Sequence, residues 1–159
     1  MIKFAGQLKK KEESEITSLI DGFVDFSRDF YITQNNLRLF IKENKDLFIN
    51  CLKKGDKIVY SEEDGIIFIT GFSDKASRKY IKPLVKDTET ADRLLKVLFW
   101  NLGHIDLFAK IKKTNPIKKI LMKNGFKFQG DRGKEILLCR KGIKKEGYRG
   151  VNNDSRNKD

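Results

Sequence analysis

Several things are scarce in this 159-residue chain, and each shortage removes a class of explanation. It has one histidine, His104, and two cysteines, Cys51 and Cys139, far apart in sequence. There is no Cys-x-x-Cys pair, no His-Glu-x-x-His and no Walker-type loop, so no metal site and no motif-built nucleotide site is expected. The two thiols read as reduced structural cysteines. No apolar run approaches the ~20 residues that span a bilayer. The opening MIKFAGQLKKKEESE lacks the apolar block of a secretion signal, so a cytoplasmic protein with no membrane partner is expected. Proline occurs twice, at Pro83 and Pro116. Apart from Phe126, Phe128 and Tyr148, aromatic residues do not interleave with the basic C-terminal third, and the two phenylalanines read as core.

What is present suits one α/β (α+β) domain. Thirty-nine per cent of the residues are hydrophobic, enough for a core at this length. Net charge is +12 and unevenly spread: 18 basic against 17 acidic residues up to Asp106, then 14 against 3 from Leu107 to Gly150. A basic third of this kind suits a phosphate-rich or acidic partner, nucleic acid or a protein assembly, unless it is a solvated face.

Two amphipathic helices are expected within residues 14–54, one from Ser14 to an end near Arg28 to Tyr31, the other from about Asn36 to Leu52. Lys57–Tyr60 and Ile66–Thr70 read as a hairpin, the continuous run Ile66-Ile67-Phe68-Ile69 placing the second strand centrally, covered on both faces. Lys79–Val85 is the next strand, bulged or splayed at Pro83, which cannot donate a ladder hydrogen bond. A helix over Thr88–Leu102 leads by a right-handed crossover to a parallel strand at Ile105–Ile111. Asn115 caps a helix with Pro116 in its first turn and Ile117, Ile120 and Leu121 on one face. Asn124-Gly125 ends it, and a strand from Phe126, a turn at Gly130–Gly133 and a strand from Glu135 to Cys139 close the domain near residue 141. Residues 142–159 are polar and read as a flexible tail.

The order of elements from Asp56 to Lys141, and above all the residues Asn115 to Phe126 with their Asn124-Gly125-Phe126 step, resemble the C-terminal half of the GNAT acyl-CoA N-acyltransferase fold. The resemblance implies a GNAT-like mixed central sheet flanked by helices. It also implies an acyl-CoA arm entering where two parallel strands part, with Leu84, Val85 and Asn115 as cofactor-binding positions. Two departures stand against catalysis. The family's glycine-rich loop binds the cofactor pyrophosphate through backbone amides at a helix N-terminus, yet no glycine lies between Val85 and Leu94, and Asp87, Glu89 and Asp92 crowd the first turn. Where the family places a general-acid tyrosine, this chain has Met122 or Leu121. His104, Asp106 and Glu135 can act as bases, but no motif singles one out.

Two functions follow as expectations. One is a module that has lost catalysis, needs no cofactor and binds a partner through Lys110, Lys112, Lys118, Lys119 and Lys123; small internal virion proteins of short-tailed phages, with a similarly degraded GNAT-like half, make the inside of a phage particle its alternative location. The other is an acetyl-CoA-dependent N-acetyltransferase that holds acetyl-CoA or CoA unusually.

Overall fold

The computed structural model describes residues 2–6, 13–18, 20–21, 32–33, 43–61 and 64–143. Its strands are β1 (Ile2–Ala5), β2 (Ile32–Thr33), β3 (Lys57–Ser61), β4 (Gly65–Thr70), β5 (Lys79–Val85), β6 (Leu107–Lys112), β7 (Lys127–Arg132) and β8 (Glu135–Arg140). The helices with assigned bounds are α1 (Lys45–Lys53), α2 (Thr88–Leu102) and α3 (Ile117–Lys123). Residues 13–18 and 20–21 are also helical; the rest of the expected first helix, and residues 36–42 of the second, lie outside the described residues.

One mixed sheet runs in the order β1-β3-β4-β5-β6-β8-β7, with β2 paired to β5. All neighbours are antiparallel except β5 and β6, which run parallel as their helical connection requires. The run Ile66–Ile69 is central as expected: Ile66 and Phe68 enter one core cluster and Ile67 and Ile69 the other. On the first face Ile16, Ile20, Ile49 and Leu52 cover Ile58, Ile66, Phe68 and Leu84. On the second, Ala91, Leu94, Leu95 and Leu98 of α2 and Ile117 and Leu121 of α3 cover Val59, Ile67, Ile81, Leu107, Ala109 and Ile111. Two-sided coverage explains why β4 has no polar alternation.

The C-terminal hairpin differs in detail from expectation. β7 runs to Arg132, past the expected turn, with an irregularity between Phe128 and Gly130. Gly133 and Lys134 make the turn, Gly133 taking a positive φ of 77°. The extra residue absorbed at the bulge keeps Asp131 and Arg132 in register with Ile136 and Glu135. The strands β1 and β2, which carry no sequence signal of their own, are added through pairing to β3 and β5.

Candidate functional site

β5 and β6 pair at only two positions, Lys79 with Leu107 and Tyr80 with Phe108, although β5 continues to Val85 and β6 to Lys112. Beyond Tyr80 the strands part, and Pro83 lies in the splayed half. The Lys86 amide donates to Asp64 O at 2.9 Å, on the β4 side. Because successive amides of a strand point to opposite edges, those at 85, 83 and 81 face the splay. Pro83 thus lacks its N–H on the side where β6 has already left, and the β4–β5 register stays unbroken. No bulge is needed; the expected alternative, a splay, is what forms.

The far end of that edge is taken. β2 pairs antiparallel with β5, Ile32 against Val85 and Thr33 against Leu84. Since β4 holds the opposite edge of β5 along Tyr80–Val85, β2 lies on the edge that faces the splay. Leu84 and Val85 are fully buried, and an arm that sought to pair with them meets a strand already in place.

One amide at the start of α2 is also engaged. Only Lys86 and Asp87 connect β5 to α2, and the Asp87 carboxylate accepts from the Thr90 amide at 2.7 Å. That bond holds the Asp87 carboxyl below the usual carboxylate range. Lys86 is paired with Asp64, and the hydrogen bond from its ammonium holds the Asp64 carboxyl low. A cavity of about 270 Å³ opens beside this turn, lined by Thr88, Glu89, Asp92, Arg93, Ile120 and Lys123. Two carboxylates offset its two cations, and Asp92 is held by Asn124 and Lys96.

Asn115 stands at the mouth of α3 and caps it: its Oδ1 accepts from the Ile117 amide at 2.9 Å, and Pro116 has helical φ and ψ of −61° and −19°. Leu121 is buried and Met122 exposed, and neither side chain can protonate a leaving group. The three candidate bases are not together. Glu135 sits opposite Lys112, at the end of β6 nearest the splay. His104 and Asp106 precede β6 at its other end, where Asp106 accepts from the Gly142 amide at 2.8 Å and from Lys141. They line a separate cavity of about 530 Å³ with Lys75, Ser77, Arg78 and Lys79. Lys79 is committed there to the carbonyls of Gly71, Asp74 and Ser77.

The five lysines divide between two surfaces. Leu107, Ala109 and Ile111 face α2 and α3, so alternation puts Lys110 and Lys112 on the other face of the sheet. Lys118, Lys119 and Lys123 ride on α3, whose buried side is Ile117 and Leu121. The sheet separates the two sets. Both cysteines are free, and burial pushes the Cys139 thiol up. Among the described residues no three His, Cys, Asp or Glu side chains come together as metal ligands, and no helix is long and apolar enough to cross a membrane.

Phe128, expected in the core, is 55% exposed on β7, and sequence reasoning missed two further features. One is β2, too short to carry a period. The other is Trp100, 85% exposed on the outer side of α2, which is visible from helical spacing because it falls in a row with Arg93 and Lys96.

No family profile and no characterised protein matches this sequence. Its fold does have solved counterparts. RimL, a ribosomal alpha-N-protein acetyltransferase solved with coenzyme A, superposes with a TM-score of 0.61 at 8% identity, over 89% of this chain and 94% of that one. An N-acetyltransferase from Staphylococcus aureus Mu50 gives 0.59 at 17% identity, over 89% and 97%. A ribosomal-protein-alanine N-acetyltransferase from Brucella melitensis gives 0.52 at 11%, over 88% and 98%. The chain has the GNAT fold.

Proposed function

We propose that this chain is a GNAT-fold binding module that has given up acyl transfer and acts through its cationic surface on a phosphate-rich partner. The observation that carries the reading is the pairing of β2 with the Leu84–Val85 edge of β5. A strand edge has one set of hydrogen-bonding groups, and chain segment and acyl arm compete for it. The Asp87 cap adds to this. An incoming pyrophosphate must displace a carboxylate from the Thr90 amide and sit beside Glu89 and Asp92, an unfavourable exchange for a dianionic group. The excess of 14 basic over 3 acidic residues between Leu107 and Gly150 supplies the attraction for phosphate. A structural role inside a phage particle, where nucleic acid is concentrated, is one setting in which such a module serves.

Calorimetry with acetyl-CoA and CoA tests the reading. No heat of binding is expected with either ligand at millimolar concentration, and low-micromolar binding would overturn the proposal.

One observation favours a second reading, an N-acetyltransferase that holds acetyl-CoA or CoA in an unusual way: β5 and β6 still part beyond Tyr80, and solved structures of this fold include enzymes held with coenzyme A. On that reading β2 must leave β5 when ligand enters. Binding would then change the protection of the Val85 amide, the one that faces β2, a change that amide exchange with and without acetyl-CoA detects.

A further inference from the structure

Trp100 is the chain's single tryptophan, and its indole stands 85% exposed on a well-formed helix. The helix row it belongs to carries two cations. Helical spacing puts Glu89, Arg93, Lys96 and Trp100 in one outward row of α2, all four exposed. The end of α3 lies against this row, since Lys96 Nζ reaches Asn124 Oδ1 at 3.3 Å and Asn124 donates to Asp92. α3 brings Lys119 and Lys123, both exposed, and Met122, 45% exposed. Of the carboxylates nearby, Asp92 pairs with Lys96 and Asn124, and Glu89, about three turns from Trp100, shares a cavity with Arg93 and Lys123, so the four cations Arg93, Lys96, Lys119 and Lys123 exceed these two carboxylates by two.

We infer that this outer surface of α2 and α3 is a platform for single-stranded nucleic acid, with Trp100 as the stacking residue and Arg93, Lys96, Lys119 and Lys123 as the phosphate-binding groups. The inference rests on the binding-module reading and names its surface and partner class. Charge complementarity chooses the occupant. The cores of protein–protein interfaces enrich tryptophan but are depleted of lysine, whereas proteins that hold single strands combine a cationic track with exposed rings on which any base can stack. A duplex keeps its base faces hidden, so an indole that stands proud of a helix gains nothing from it. Lys110 and Lys112, on the other face of the sheet, lie outside the platform.

Because the chain has one tryptophan, its emission reports on this surface alone. The experiment titrates the full chain with oligo(dT) while exciting at a wavelength absorbed by tryptophan, and in parallel follows a dye-labelled oligo(dT) by polarisation. The expected result is saturable quenching whose midpoint matches the polarisation curve and weakens with added salt. Trp100→Ala should weaken binding by roughly tenfold or more, Trp100→Phe should recover most of it, and circular dichroism should leave both variants folded as wild type. Oligonucleotide binding that leaves the emission unchanged, or that Trp100→Ala does not weaken, overturns the platform and leaves the binding-module reading standing on another surface. Absence of any oligo(dT) binding at low salt also overturns it, while the acetyl-CoA calorimetry judges the broader reading independently.

Discussion

Asn124 Nδ2 donates to Asp92 Oδ1 at 2.8 Å, and through this bond the end of α3 is fastened to the first half of α2. Asn124 also returns a bond to the Ile120 carbonyl, so one side chain closes its own helix and holds the next. Replacing it with Ala leaves a half-buried carboxylate short of a donor, at a cost of about 1–2 kcal/mol, or a melting temperature lower by about 3–8 °C at this chain length. Asn124 is the first cause holding the Asp92 carboxyl below its usual range. A depressed folded-state pKa stabilises above the unfolded value, about 3.9, and that contribution is lost as pH falls through the folded value. The gap in melting temperature between wild type and Asn124→Ala should therefore be widest at neutral pH and narrow towards pH 2. A gap of constant size across that range would contradict this account.

The cap on α2 can be measured apart from any ligand. Asp87→Ala should lower stability by about 1 kcal/mol, read as a shift in the urea midpoint with unchanged slope, and Asp87→Ser should restore most of it. If Ala and Ser behave alike, the carboxylate is not acting as a cap.

Two glycines with positive φ should respond differently. A Cβ at Gly65, φ 151°, would lie 2.7 Å from Val85 Cα, a backbone atom that cannot move aside without disturbing the β4–β5 ladder. At Gly133, φ 77°, a Cβ would meet nothing within 4 Å. Gly133→Ala should cost only the left-handed backbone penalty of about 1 kcal/mol, and Gly65→Ala several times as much, on the order of 3 kcal/mol or more. Thermal melts of both variants check the order, and equal losses would show that the clash at Val85 is relieved.

Removing lysines from the two sides of the sheet should separate their roles. The triple change Lys118→Ala, Lys119→Ala, Lys123→Ala is expected to flatten the salt dependence of oligonucleotide binding, by about 0.7 for each phosphate that is no longer neutralised on a single strand. The double change Lys110→Ala, Lys112→Ala is expected to leave that slope near wild type. Neither set should shift stability by more than about 0.5 kcal/mol per residue, as the sites are surface positions. An electrophoretic shift series at two salt concentrations suffices, and a slope that falls only in the double variant reverses the assignment.

Local pattern was enough to locate β3 to β6, α2 and α3, through alternation in β6, a continuous apolar run in β4 and a 3.6 period in α2 and α3, with Gly71, Gly103 and Asn124 marking the ends of β4, α2 and α3 and Asp87 the start of α2. The same reading required the strand to bulge or splay at Pro83, since a missing amide is a covalent property that no context restores. The absence of a glycine between Val85 and Leu94 and of a phenol at Met122 was equally plain.

Other facts depend on what lies across space. β2 is two residues long, and nothing in Ile32-Thr33 marks it as a strand; it is one because Val85 and Leu84 have an unpaired edge where β6 turns away. The lysines of β6 and α3 looked like one surface because sequence assigns each side chain to a face of its own element only. Which way those faces point relative to each other was decided when Leu107, Ala109 and Ile111 were buried under α3 on the same side of the sheet as Ile117 and Leu121, which left Lys110 and Lys112 on the opposite side. Periodicity is set by the chain's local geometry, whereas the side of the sheet on which a helix settles is set by where buried apolar area is greatest, a sum over residues distant in sequence.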